Sequence, residues 1–139
     1  MSEENKEIVR RAYDAMKAGD FAFLREIVAD NFVEHEEMPG VPPTKEGVLQ
    51  YFETMRSAFS DFAFEVDDMA AEGDMVIVRV RMVGTHKGEF MGIPATGKQL
   101  NVPTADFLRI EGGKIVEHWG VTDSGAMLMQ LGVVEMPGA

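Results

Sequence analysis

The chain has 139 residues, 45% of them hydrophobic and 27% charged, a composition that suits a folded domain and leaves little room for a second core. Its 24 Asp and Glu against 13 Lys and Arg give a formal net charge of −11, a field that repels phosphates and anionic membrane surfaces, so neither nucleic acid nor a membrane is an expected partner. The absence of cysteine excludes disulfides, thiolate metal ligands and a cysteine nucleophile; the acidic opening lacks the basic and apolar segments of a secretion signal, so a cytoplasmic location is expected.

From Glu4 to Met16, the apolar residues Ile8, Val9, Ala12, Tyr13 and Met16 recur at helical spacing, and Gly19-Asp20 ends that helix. A second short helix is expected over Phe21 to Val28, then a brief strand over Asn31 to His35. Met38 to Pro43 is a proline-rich connection. Thr44, with Gly47 and the stripe Val48, Tyr51, Phe52, Met55 and Phe59, predicts a third helix. The period then changes from helix to strand. Phe62 to Glu72 and Met75 to Gly84 alternate as a hairpin around Glu72-Gly73-Asp74. A glycine-rich connection, Thr85 to Gln99, leads to a second hairpin, Leu100 to Ile110 and Lys114 to Thr122, turning at Glu111-Gly112-Gly113. Asp123 to Leu131 reads as a final helix stopped by Gly132, and Val133 to Ala139 as a loose or partner-docked end.

Helices first and antiparallel strands second predict one α+β domain over residues 1–139, with a curved sheet covering one side of the helices. Strand alternation puts Thr104, Asp106 and Leu108 on one face, and Val116, His118 and Gly120 on one face of the last strand, with Trp119 opposite His118. Neighbouring antiparallel strands can therefore bring Asp106 and His118 together, a carboxylate and an imidazole suited to proton transfer or to structural hydrogen bonding. Asp123 fits a proton-transfer role or a helix N-cap.

The segments GTHKGEFMGIPATGK and FLRIEGGKIVEHWGVTDSGAMLMQLG resemble the SnoaL-like polyketide cyclases of the nuclear-transport-factor-2-like superfamily, and the likeness spans nearly the whole chain. Its most specific parts are His86 ahead of Gly-Ile-Pro-Ala-Thr-Gly-Lys, Arg109-Ile110 before the Gly-Gly-Lys-Ile turn, and Gln130-Leu131-Gly132. The resemblance implies a cone-shaped α+β barrel with a deep apolar pocket, a homodimer formed through the sheet, and no cofactor or metal. It also implies acid-base ring closure of a small hydrophobic, carbonyl-bearing substrate by intramolecular aldol condensation. The chain departs from that pattern where the chemistry lies. Gly120 stands where the cyclases carry their catalytic Asp, and Asp106 where they carry the assisting histidine. Asp106, His118 and Asp123 are then the candidate catalytic groups, and a non-catalytic binder of the same fold is the alternative.

His35, Tyr51, Met55, Phe59, His86, Phe90, Met91 and Trp119 are the candidate substrate-binding residues, with core packing or a solvated edge as the competing reading. The histidines lack any short ligand spacing, so no metal site is expected. Gly92 to Lys98 imitates part of a phosphate loop, but Gln99 stands where that motif needs Ser or Thr, and the segment joins two strands.

Overall fold

The computed structural model describes residues 2–134. Helices α1 (Ser2–Ala18) and α2 (Phe21–Ile27) lead into β1 (Val28–Glu34). Helix α3 (Lys45–Ala58), strands β2 (Phe59–Glu72), β3 (Met75–His86), β4 (Gln99–Glu111) and β5 (Lys114–Thr122), and helix α4 (Ser124–Gln130) follow. The sheet order is β1-β5-β4-β3-β2, with β1 parallel to β5 and every other neighbour antiparallel. The predicted α+β arrangement of helices against a mainly antiparallel sheet is the one observed.

Local chemistry sets the element boundaries. Gly19 adopts φ +77°, which ends α1, and the Asp20 side chain accepts a hydrogen bond from Phe23 N at 3.1 Å to start α2. Thr44 caps α3 in the same way, accepting from Gly47 N at 3.2 Å. The Arg56 guanidinium of α3 donates to Met16 O at 3.1 Å and Lys17 O at 2.9 Å, placing a cation on the carbonyls at the end of α1. At the other end of the chain, the Gln130 amide pairs with both backbone groups of Asn101, donating to its O at 2.9 Å and accepting from its N at 2.8 Å. That pairing docks α4 on β4 and gives the Gln-Leu-Gly ending a physical purpose.

Alternation builds the core. Val76, Val78 and Val80 of β3 and Leu108 and Ile110 of β4 meet Val9, Ala12, Tyr13 and Met16 of α1 in one buried cluster. A second cluster holds Met55, Ala58, Phe59, Phe62, Met82, Phe90, Leu100, Val102 and Leu131. Burial of this apolar surface, at about 25 cal/mol per Å², is the main force holding the helices to the sheet.

Several boundaries differ from the sequence reading. β1 starts at Val28, because α2 passes into it directly, and β2 starts at Phe59, directly after α3. A bulge in the β4–β5 ladder also shifts one face assignment. Ile115 lies opposite Ile110 and is buried, Val116 falls in the irregularity, and His118, Gly120 and Thr122 follow opposite Leu108, Asp106 and Thr104. Of the tail from Val133 to Ala139, residues 135–139 lie outside the described residues.

Candidate active site

The inward-facing positions of β4 and β5 carry a polar group in an otherwise apolar interior. Asp106, opposite Gly120, and His118, opposite Leu108, meet diagonally across the two strands: His118 Nε2 and Asp106 Oδ1 are 2.8 Å apart. The other ring nitrogen, Nδ1, is 2.5 Å from Glu34 Oε2 at the end of β1. Tyr13 of α1 donates its hydroxyl to Asp106 Oδ2 at 2.5 Å. A continuous row, Tyr13 to Asp106 to His118 to Glu34, therefore joins α1 to β4, β5 and β1.

Burial sets the electrostatics of this row. Asp106 and Glu34 are 5% and 7% exposed. Burial alone would strip the proton from His118, but the hydrogen bonds and charges of Asp106 and Glu34 outweigh it and push its pKa up to about 10. His118 is thus an imidazolium at neutral pH, with both N–H groups donated to carboxylates. Burial, then the charge and hydrogen bond of Asp106, raise the pKa of Tyr13 well above its ordinary value, so this hydroxyl keeps its proton. Removing it in Tyr13→Phe leaves Asp106 Oδ2 without its donor. The expected cost is about 1.5–3 kcal/mol, read as a fall in the urea midpoint at unchanged m-value.

Glu36, two residues beyond β1, completes the group. Its Oε2 accepts from Thr122 Oγ1 at 2.9 Å, and its backbone N–H donates to Glu34 Oε2 at 3.1 Å. Burial, only partly opposed by the Thr122 hydrogen bond and by His118, raises its pKa. One ligand-capable atom each of Glu36, Asp106 and His118 lie within 4.8 Å of one another. His118 nevertheless has both nitrogens committed to carboxylates, an arrangement suited to holding protons rather than a cation. The segment around Glu36 borders an open cleft of about 600 Å³, lined by Glu34, His35, Glu36, Glu37, Met38, Pro39, Val41 and Pro43.

The remaining candidates scatter. Asp123 is exposed and its carboxylate caps α4, accepting from Ala126 N at 2.9 Å. Tyr51 is half-buried close enough to Glu36 to feel its charge; burial first, then that charge, push its pKa up to about 12. Met55, Phe59 and Phe90 are fully enclosed in the second core cluster, where packing accounts for them. His86 is buried against Phe59, with ring centroids 5.1 Å apart, and its Nδ1 is 3.0 Å from Thr96 Oγ1. Met91 stands exposed in the β3–β4 connection. Trp119 lies opposite Phe107 on the sheet face away from His118, stacked at 4.6 Å on His35, whose Nε2 is 2.7 Å from Glu117 Oε2.

Sequence reasoning found the Asp106–His118 pair but missed Tyr13, Glu34 and Glu36. Tyr13 sits within an ordinary apolar helix stripe, and the two glutamates sit within an acidic run. The one available signal was Gly120, a strand residue without a side chain beside two polar groups.

Residues 6–131 match the SnoaL-like polyketide cyclase family. The aklanonic acid methyl ester cyclase DauD of Streptomyces sp. (strain C5) is 29% identical over 133 residues, covering 91% of this chain and 80% of that protein. IdmH of Streptomyces antibioticus, a provisionally assigned polyketide cyclase of known structure, is 35% identical with a TM-score of 0.81, covering 93% of this chain and 99% of that one. TsrD of Streptomyces laurentii is 26% identical with a TM-score of 0.85, covering 95% and 97%.

Proposed function

This chain belongs to the SnoaL-like polyketide cyclase family, and we propose that it closes a ring in a small polyketide ester by cofactor-independent acid-base chemistry. The supporting observation is the buried row from Tyr13 to Glu34 with Glu36 beside it, a set of carboxylates around one fixed imidazolium next to an open cleft. Intramolecular aldol closure needs little else. A base removes a proton beside one carbonyl, nearby positive charge and donors stabilise the enolate, and the surrounding walls fold the substrate so that its two ends meet.

In this reading Asp106 and His118 keep a place in the site, in altered roles. With both nitrogens tied to carboxylates and its pKa near 10, His118 does not cycle its proton at neutral pH. Its fixed charge offsets those of Asp106, Glu34 and Glu36 around it, which limits the cost of bringing one more negative charge, the enolate, beside them; Asp106, Glu34 and Tyr13 hold it in place. Tyr51 stays protonated beside Glu36 and provides a donor for the developing oxyanion. Asp123 is left as a helix cap.

The curated relatives act on aklanonic acid methyl ester, so that compound is the first substrate to test. Incubation is expected to yield a cyclised isomer of unchanged mass, separable by chromatography, with Asp106→Asn lowering turnover by about a hundredfold. Ester that binds but is recovered unchanged would instead make the chain a binding protein of the same fold.

A further inference from the structure

The function proposed above requires a group that takes the proton from carbon, and resting on that reading we infer that Glu36, brought in from the segment after β1, is this base, with its carboxylate occupying the space that Gly120 leaves open.

Elimination within the cluster supports this assignment. Asp106 has both oxygens engaged, Oδ1 by His118 and Oδ2 by Tyr13. Glu34 is buried, and its Oε2 accepts from both His118 and the Glu36 backbone. A carboxylate held this way cannot accept a substrate proton without breaking the row. Glu34 also lines the cleft and its Oε1 likewise takes no donor from the described residues, but its carboxylate is tied to His118 and almost wholly enclosed; Glu36 is only half-buried, and its carboxylate is oriented by Thr122 through Oε2 with no side-chain bond to the row.

Gly120 supplies an independent argument. Its backbone is ordinary strand, so no left-handed conformation calls for glycine there. A Cβ at this position would collide with Glu36 Oε1 and come within 2.7 Å of His118 Cε1. The missing side chain is therefore what admits the Glu36 carboxylate to the inner face of β5, beside His118.

The step balances without a further reactant. Glu36 Oε1 takes the proton from the carbon beside a carbonyl, and the C–H electron pair moves into the enolate. The enolate carbon then bonds to a second carbonyl carbon of the same molecule, whose π pair becomes an alkoxide. The alkoxide recovers the proton from Glu36, leaving a hydroxy-ketone isomer of the substrate and the original carboxylate. The groups facing Glu36 are Glu34, Asp106, His118, Thr122 and Tyr51. Burial among them raises its proton affinity toward the range useful to a base at neutral pH.

The test uses Glu36→Gln, Glu36→Ala, Gly120→Asp and the double variant Glu36→Ala/Gly120→Asp, each checked for native circular dichroism. Two readouts are followed: ring closure of aklanonic acid methyl ester, and NMR-detected exchange of the α-protons of methyl benzoylacetate with D2O above the uncatalysed background. Exchange needs only the base and is independent of cyclisation. Glu36→Gln is expected to lower both rates by about a hundredfold or more and to abolish the rise of rate with pH through the Glu36 pKa. Gly120→Asp alone is expected to be impaired by its collision with Glu36, and the double variant, which removes that collision but keeps the close approach to His118, to exceed Glu36→Ala. Exchange by the unmodified protein that Glu36→Gln abolishes, without ring closure of the ester, would support the base while overturning the cyclase reading. Exchange unchanged in Glu36→Gln, or absent from the unmodified protein, overturns the assignment.

Discussion

Replacing His118 by alanine is expected to lower the unfolding free energy by about 3–5 kcal/mol, the largest single effect predicted for this protein. The ring separates two buried carboxylates, Asp106 at 2.8 Å and Glu34 at 2.5 Å, and its positive charge compensates both. Without it, each carboxylate loses a charged donor, and both face each other across the cavity that alanine leaves. Water replaces little of what the ring gave, since the Asp106 side chain is almost wholly enclosed and Glu34 meets the cleft only at its edge. Urea unfolding followed through Trp119, the sole tryptophan, provides the measurement. Adding Glu34→Gln and Asp106→Asn to His118→Ala should return a good part of the loss, because neutral amides remove the uncompensated charge. A loss under 1 kcal/mol for His118→Ala, or no recovery in the triple variant, would show that the row is not the ionic structure its geometry implies.

How far the sequence reveals this site depends on which contacts follow from periodicity. Asp106 and His118 lie on adjacent strands joined by the short Gly112-Gly113 turn, whose glycines adopt φ +59° and +78°; turn and alternation together bring the pair onto one face. The order of helices and strands was legible for the same reason, since each element advertises its own period. Tyr13 and Glu34 reach the site from α1 and β1, whose approach is set by tertiary packing and has no local signature. Glu36 is harder still, as its neighbours Glu34 and Glu37 make the run look like a solvated edge. Conversely, Phe59, Met55 and Phe90 carry the apolar character of a pocket lining, but apolar residues pack as readily against each other, and here they do. Gly120 connects the two levels. As a sequence feature it is only a strand glycine between polar neighbours; in the structure it leaves the space that the Glu36 carboxylate takes.

Raising the pH through 10 is expected to remove the stabilisation that the imidazolium provides. The His118 pKa rises from an ordinary 6.5 to about 10 on folding, because the hydrogen bonds and charges of Asp106 and Glu34 outweigh burial. Below pH 6.5 the ring is protonated in both the folded and the unfolded chain, and its contribution is fully present. Between 6.5 and 10 the folded state holds one proton more than the unfolded state. Unfolding then releases that proton, and stability falls by about 1.4 kcal/mol per pH unit over the window, a few kcal/mol in all. Above 10 the folded ring is neutral too, and one nitrogen turns a lone pair toward a carboxylate. Tyr51, with its pKa near 12, and Tyr13, raised well above its ordinary value, lose protons only in the unfolded chain near pH 10, so their own contribution begins at the top of this window and is shared by both proteins in the comparison that follows. The comparison that isolates His118 sets the unmodified protein against His118→Gln at each pH: the stability difference should be largest near pH 6, shrink steadily, and be mostly lost by pH 10. Imidazole 15N shifts offer a direct check, with both ring nitrogens of His118 remaining protonated at pH 8. A neutral ring at that pH, or a stability difference that does not change between pH 6 and 10, would mean that Asp106 and Glu34 do not hold the proton, and the fixed charge assigned to this site would have to come from elsewhere.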